Sequence, residues 1–254
     1  MNRYAVSDLH GQLDLYNQIK EYINDDDVVY ALGDFGDRGP HPWTTLKAVL
    51  DDRQFIYLMG NHDFMLIEAI SEYLKLEGRD GYVDLMGHMY SSYGKVARLC
   101  ANGGMQTLDE WSREPKRMEY YLKLKYLPLE VRLAALDGKH FIYLTHAGYT
   151  PSYIECVSDD VGDFVWDRHH FYDKWDNSQK HIMISGHSPI DYLIRQLELF
   201  DKSYDMSKGY CRYCEGSKIC IDRGAHYTNT TVLLNIDTLD AVEFKIKETL
   251  DEEN

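Results

Sequence analysis

Residues Gly33–Pro40 read "GDFGDRGP" and follow the apolar run "VVYAL" at Val28–Leu32. An ordinary turn needs glycine and at most one aspartate. Here two carboxylates and a guanidinium share a glycine-punctuated strand end. Working outward, "RYAVSD" predicts a strand, and Leu15, Ile19, Tyr22 and Ile23 then form a helical stripe. Pro42 suits the first turn of a helix with Trp43, Leu46, Val49 and Leu50 on one face. "FIYLMGN" predicts a third strand, followed by a helix from about Asp63 that Gly78 should end. Strand, helix, strand, helix, strand implies parallel strands with right-handed crossovers.

The stretch from about Tyr82 to Leu127 is helical in pattern and rich in tyrosine and methionine, so it should form a helical cap inserted into one domain spanning 1–254. Strands then return in "HFIYLTHAG", "HIMISGH", "KICID", "TVLLNID" and "AVEFKI". The last three lack long intervening helices, which predicts a more antiparallel second half. The closing "KETLDEEN" reads as a solvated acidic end.

With 44% hydrophobic and 27% charged residues among 254, the composition is that of a globular chain with a sizeable core. A net charge of −15 repels a nucleic-acid backbone, so a polymer of that kind is not an expected partner. A small phosphorylated substrate remains compatible if local cations reverse the field. The sequence opens on a strand pattern, so no signal peptide is expected, and no apolar run is long enough for a membrane span. Five scattered cysteines fit reduced thiols and an expected cytoplasmic location.

Five predicted strands end in polar clusters: "SDLHG" (Ser7–Gly11), "GDFGDRG" (Gly33–Gly39), "GNHD" (Gly60–Asp63), "THAG" (Thr145–Gly148) and "SGHS" (Ser185–Ser188). In an open α/β sheet the carboxyl ends of the strands share one edge, where ligands bind. Asp8, His10, Asp34, Asn61, His146 and His187 can therefore converge. Carboxylate, imidazole and amide oxygen without thiolate is a donor set for Mn²⁺, Fe or Zn²⁺. Six ligands exceed the needs of one zinc with an open position and suit two metals sharing a carboxylate.

The ordered clusters resemble the calcineurin-like metallophosphoesterases, and within them the phosphoprotein phosphatases, from the N-terminus through "IDRGA" at Ile221–Ala225. The resemblance implies a four-layer α-β-β-α sandwich with two mixed sheets and a helical cap insertion. It implies that Asp8 and His10 hold one divalent ion, that Asp34 bridges two, and that Asn61, His146 and His187 hold the second. Water activated by those ions attacks phosphorus in such enzymes. Asp37 is similar to the residue that orients the general acid, here His62. Arg38 matches a phosphate clamp, Arg168 in "VWDR" matches a second phosphate-binding arginine, and Asn61 reaches both metal and phosphate. The expected function is a bacterial-type serine/threonine protein phosphatase, with a diadenosine tetraphosphatase-like hydrolase as the alternative and a non-catalytic metal-binding scaffold as the remote one.

The first motif has Ser7 where the family has glycine, and Asp63 stands where eukaryotic members have glutamate; Asp63 can also simply favour its helix N-terminus. "IDRGA" has Arg223 in a threonine position, and "NGGMQTLDEW" resembles a segment of bacterial members. Arg38 has an alternative as an ion-pair partner of Asp37. His169 and His170 read as solvated loop residues, and His41, His88, His140, His181 and His226 as structural or surface histidines. Cys211, Cys214 and Cys220 read as incidental thiols in a hairpin, since no fourth zinc ligand is paired nearby, with a zinc knuckle as the lesser alternative. Most tyrosines of "HMYSSY" and "MEYYLKLKY" should pack the cap onto the sheet, with stacking on a nucleobase or lining of a peptide groove as the alternatives.

Overall fold

The structure is a computed structural model that describes residues 1–80, 94–149, 161–172 and 180–246. His88, the "HMYSSY" tyrosines and the acidic end lie outside these residues. The first sheet is built on β1 (Arg3–Val6), β2 (Val28–Ala31) and β3 (Phe55–Tyr57), which are parallel. They are joined through α1 (Leu13–Tyr22) and α2 (Pro42–Asp51), as the alternation predicts. From β3 the chain enters α3 (Asn61–Asp80), which starts at Asn61 and continues through Gly78. Glycine lowers helix propensity by only about 1 kcal/mol, which a long packed helix absorbs.

The helices α4 (Lys95–Ala101), α5 (Met105–Arg113) and α6 (Arg117–Lys125) follow. Val96, Leu99, Leu108, Trp111, Tyr120 and Leu124 enter the same core as Phe35, Trp43, Leu46 and Met65. They thus extend the outer helical layer over the first sheet. Tyr120 packs edge-on to Trp43, while Tyr126 is exposed.

The second sheet comprises β4 (Glu130–Ala134), β5 (Phe141–Thr145), β6 (Ile182–Ser185), β7 (Tyr204–Asp205), β8 (Cys211–Tyr213) and β9 (Lys218–Cys220), in the order β4-β5-β6-β9-β8-β7. Between β5 and β6 lie α7 (Val161–Trp166) and a 3₁₀ turn at His169–Phe171, and α8 (Ile190–Leu199) follows β6. The chain returns through the short α9 (Ala225–Thr228) to β10 (Thr230–Asn235) and β11 (Ala241–Lys245), which complete the first sheet as β11-β10-β1-β2-β3. The expected antiparallel character holds for β8, β10 and β11, but "KICID" forms β9, which runs parallel to β6.

Strand alternation sorts side chains into layers. On β1, Tyr4 and Val6 face the outer helices, whereas Ala5 faces the other sheet. On β2, Val29 and Ala31 face outward, and Tyr30 and Leu32 inward. Ile142, Leu144, Ile184, Ile219 and Ile221 complete the core between the sheets, while Leu193, Leu197, Cys211, Tyr213 and Cys220 form a third core under α8. Three cores between four layers make the α-β-β-α sandwich. Among the described residues, no helix is long and apolar enough to cross a membrane.

Candidate active site

All five clusters meet where β1, β2, β3, β5 and β6 end. The first two interlock through the backbone: Asp8 N–H donates to Gly33 O at 3.1 Å, His10 N–H to Asp34 O at 3.0 Å, and Gly39 N–H to His10 O at 3.0 Å. The second sheet closes on them when His187 N–H donates to an Asp8 carboxylate oxygen at 3.0 Å. Two glycines permit this approach. A Cβ at Gly60 would lie 2.1 Å from Asp34 Oδ1, and one at Gly186 would lie 2.2 Å from Asp8 Oδ2.

The local backbone is strained where the chemistry sits. Asp8, His10, Asp34, Asp37, Arg38 and His187 all have φ between 45° and 66°. This left-handed region costs a non-glycine residue roughly 1–2 kcal/mol, so the surrounding fold must hold each one there.

Asp8, His10, Asp34, Asn61, His146 and His187 are all buried together. His10 directs Nδ1 to Gly36 O (3.0 Å) and His146 directs Nδ1 to Leu32 O (2.6 Å), which leaves each Nε2 facing inward. His146 Nε2 lies 2.9 Å from Asn61 Oδ1 and 3.3 Å from Asp34 Oδ2, and His187 Nδ1 lies 2.8 Å from the same Asn61 oxygen. Among the described residues, two groups have ligand atoms within 4.8 Å of one another: Asp8, Asp34 and His146, and His10, Asp34 and His62. Asp34 is common to both, in keeping with its expected bridging place. The expected trio Asp8, His10 and Asp34 is not one of these groups; His62 stands beside His10 instead. A buried set of carboxylate, imidazole and amide donors fits two divalent cations.

The charges agree with that fit. Burial and the neighbouring Asp34 push Asp8 up to about 6, with His146 opposing. Burial disfavours a charged His146, but the Asp34 carboxylate outweighs it and raises His146 to about 10. A cation entering the site has to displace that proton.

Asp37 Oδ2 lies 2.7 Å from His62 Nδ1, and both residues are buried. Burial lowers His62, yet Asp34 and Asp37 prevail and raise it, with Arg38 opposing. Arg38 makes no ion pair with Asp37 among the described contacts; it lies 2.9 Å from His10 Nε2 and 2.6 Å from His62 Nε2. Arg168 donates from Nε to Ser188 Oγ at 2.9 Å. Both arginines, with Asn61, His62 and His187, line a cavity of about 140 Å³.

Sequence reasoning missed several neighbours. His226 is half-buried and lines the cavity with its ring 5.3 Å from that of His10, and burial and Arg38 lower it to about 4. Asp222 also lines the cavity, and burial next to Asp8 raises it well above the carboxylate range. His170, expected in solvent, is 1% exposed and packs under Gly148, with Tyr213 Oη 3.1 Å from its Nδ1. Cys211 pairs in register with Cys220 in the β8–β9 hairpin, and both are buried thiols. Asp63 does more than favour a helix end. Its carboxylate accepts from Asp34 N–H (3.1 Å), Gly60 N–H (2.8 Å) and Tyr57 Oη (3.0 Å), while Tyr57 Oη accepts from Phe35 N–H (3.0 Å).

That knot ties the ends of β2 and β3 together. Tyr57→Phe leaves the Phe35 N–H without its acceptor and should lower unfolding free energy by about 1–3 kcal/mol. Urea unfolding checks it; a change within roughly 0.5 kcal/mol, as for a neutral surface substitution, would show that the knot carries no weight.

The sequence profile of the family described as "Calcineurin-like phosphoesterase" matches residues 1–222. No curated protein matches the chain in sequence. Among solved structures, a candidate diadenosine tetraphosphatase aligns with a TM-score of 0.60 at 14% identity, over 97% of this chain and 94% of that one. A serine/threonine phosphatase from Saccharomyces cerevisiae, described as similar to human PP5, aligns with a TM-score of 0.56 at 12% identity, over 99% and 82%. At those identities the two structures speak for the fold. With the profile spanning most of the sequence, the chain belongs to the calcineurin-like phosphoesterase family.

Proposed function

We propose that the chain hydrolyses phosphate monoesters as a serine/threonine protein phosphatase, using two divalent cations held by Asp8, His10, Asp34, Asn61, His146 and His187, with Mn²⁺ as the first choice. The observation that carries this reading is the meeting of that buried donor set with the Asp37–His62 pair, beside a cavity lined by His10, Asp34, Asn61, His62, Arg38 and Arg168. Bound there, the cations would supply positive charge to the phosphoryl oxygens and lower the pKa of water.

The chain's own groups do the rest. Arg38 and Arg168 bind the phosphoryl oxygens, a task suited to the planar guanidinium fork. A guanidinium only donates, so while Arg38 faces His62 Nε2 that nitrogen presents its lone pair. A phosphate that draws Arg38 onto its oxygens frees Nε2 to carry a proton. As the ester P–O bond breaks, His62 passes that proton to the leaving oxygen. Water's oxygen joins phosphorus, one of its protons stays on the released phosphate, and the other restores His62.

Arg38 and Arg168 are the only lysine or arginine residues among the described residues lining the cavity. Two cations suit a single phosphoryl group better than a polyphosphate chain in a protein of net charge −15. The test compares kcat/KM in Mn²⁺ on a phosphothreonine peptide and on diadenosine tetraphosphate. The peptide is expected to win; a clear preference for the dinucleotide would overturn the protein-phosphatase assignment. Metal-loaded, folded protein that cleaves neither, nor an aryl phosphate, would favour a scaffold.

A further inference from the structure

The turn between α4 and α5 holds the Asp37–His62 pair from behind, although it lies about 65 residues further along the chain. Thr107 Oγ accepts the Asp37 N–H at 3.2 Å and donates to Asp37 Oδ1 at 2.5 Å. A hydroxyl has one hydrogen, and the N–H occupies a lone pair, so that hydrogen points to the carboxylate. Asp37 is thereby kept as an acceptor. Its other oxygen then takes the Nδ1 hydrogen of His62, which leaves Nε2 as the nitrogen turned to the cavity.

The same turn grips the strained backbone beside it. Asp37 and Arg38 both have φ of 64°. Gly103 O accepts the Arg38 N–H at 3.1 Å, and Asn102 O lies 3.4 Å from Arg38 Nε. A Cβ at Gly104 would lie 2.8 Å from Asp37 Oδ2, so the backbone packs directly on the carboxylate. Thr107 is fully buried, and its neighbours on α5, Leu108 and Trp111, are anchored in the outer core. It does not line the cavity.

We propose that Thr107 is a positioning residue for proton donation to the leaving group, acting through Asp37 on His62; this rests on the phosphoesterase reading above. Its loss affects substrates according to how much their leaving oxygen needs the proton. A merely structural residue would lower turnover on every ester alike.

The experiment uses the metal-loaded full chain as wild type, Thr107→Val and Thr107→Ser, with kcat measured on p-nitrophenyl phosphate and on a simple alkyl phosphate, and bound metal quantified. Thr107→Val is expected to lower kcat on the alkyl ester by about 10–100-fold, the scale on which orienting partners act. The loss on the aryl ester should be clearly smaller, KM and metal content should hold, and Thr107→Ser should restore both rates. Should the valine variant not fold, Thr107→Ala carries the same comparison. Equal losses on the two esters, no loss, or a serine variant as poor as the valine one overturns the role of Thr107 alone. A wild type that turns over neither ester overturns this inference together with the reading it rests on.

Discussion

Asp34→Asn is expected to lower turnover by about a thousandfold or more and to reduce bound metal, a larger effect than the roughly 10–100-fold cost of removing an outer-shell partner. The reason is geometric. Asp34 is the single residue shared by the two groups of ligand atoms, so its charge serves both. The amide is nearly isosteric, and its oxygen can still accept the His62 N–H that Asp34 Oδ1 takes at 2.9 Å. The fold should therefore survive while the electrostatics fail. Without the carboxylate, His146 also loses the neighbour that raises it and gives up its proton more easily, but that gain does not replace the negative charge missing between the two groups. Elemental analysis of the purified variant, with kcat on an aryl phosphate and circular dichroism alongside, decides the matter. Two metals per chain and near-normal turnover would sink the bridging assignment.

The convergence of these six residues was legible in the sequence because each sits within a few residues of a strand end, and strand ends are the best-read points of an α/β pattern. Asp8 and His10 follow "YAV", Asp34 follows "VVYAL", and Asn61 follows "FIYL". Partners supplied by tertiary packing were not legible. Thr107 reaches Asp37 only because Leu108 and Trp111 seat α5 in the outer core. "NGGMQT" could be noted as a resemblance, yet nothing local says which side chain its hydroxyl meets.

His170 misled for a related reason. "DRHHF" is polar enough to suggest a solvated loop, but the third core places this turn under α8, where Phe171 packs with Leu193 and Tyr213. β4 escaped notice because two of the five residues in its "EVRLA" are charged, as befits an edge strand with its side chains part-exposed. The role of Asp63 required knowing that the β2 and β3 ends are adjacent, since its carboxylate joins two segments about 29 residues apart. In each case the missing information was which surfaces meet, which periodicity alone does not encode.

His62→Asn is expected to lower kcat on alkyl phosphates by about 10²–10⁴-fold, the usual contribution of a positioned acid. The substitution removes Nε2, the nitrogen that faces Arg38 at 2.6 Å on the cavity side, while an amide can still donate towards Asp37. The six donors assigned to the metals are untouched, so metal content should stay at the wild-type level. What distinguishes an acid from a ground-state binder is the dependence on leaving group. A p-nitrophenolate departs readily without a proton, whereas a serine or threonine alkoxide does not, so the deficit should shrink sharply on the aryl ester. His62 also belongs to one of the two groups of clustered ligand atoms, which gives it a rival role as a metal ligand. That role predicts a different pattern: lost metal, and equal damage to aryl and alkyl esters. Measuring both esters and the metal content on one preparation separates the two roles, since each predicts the opposite result in both readouts.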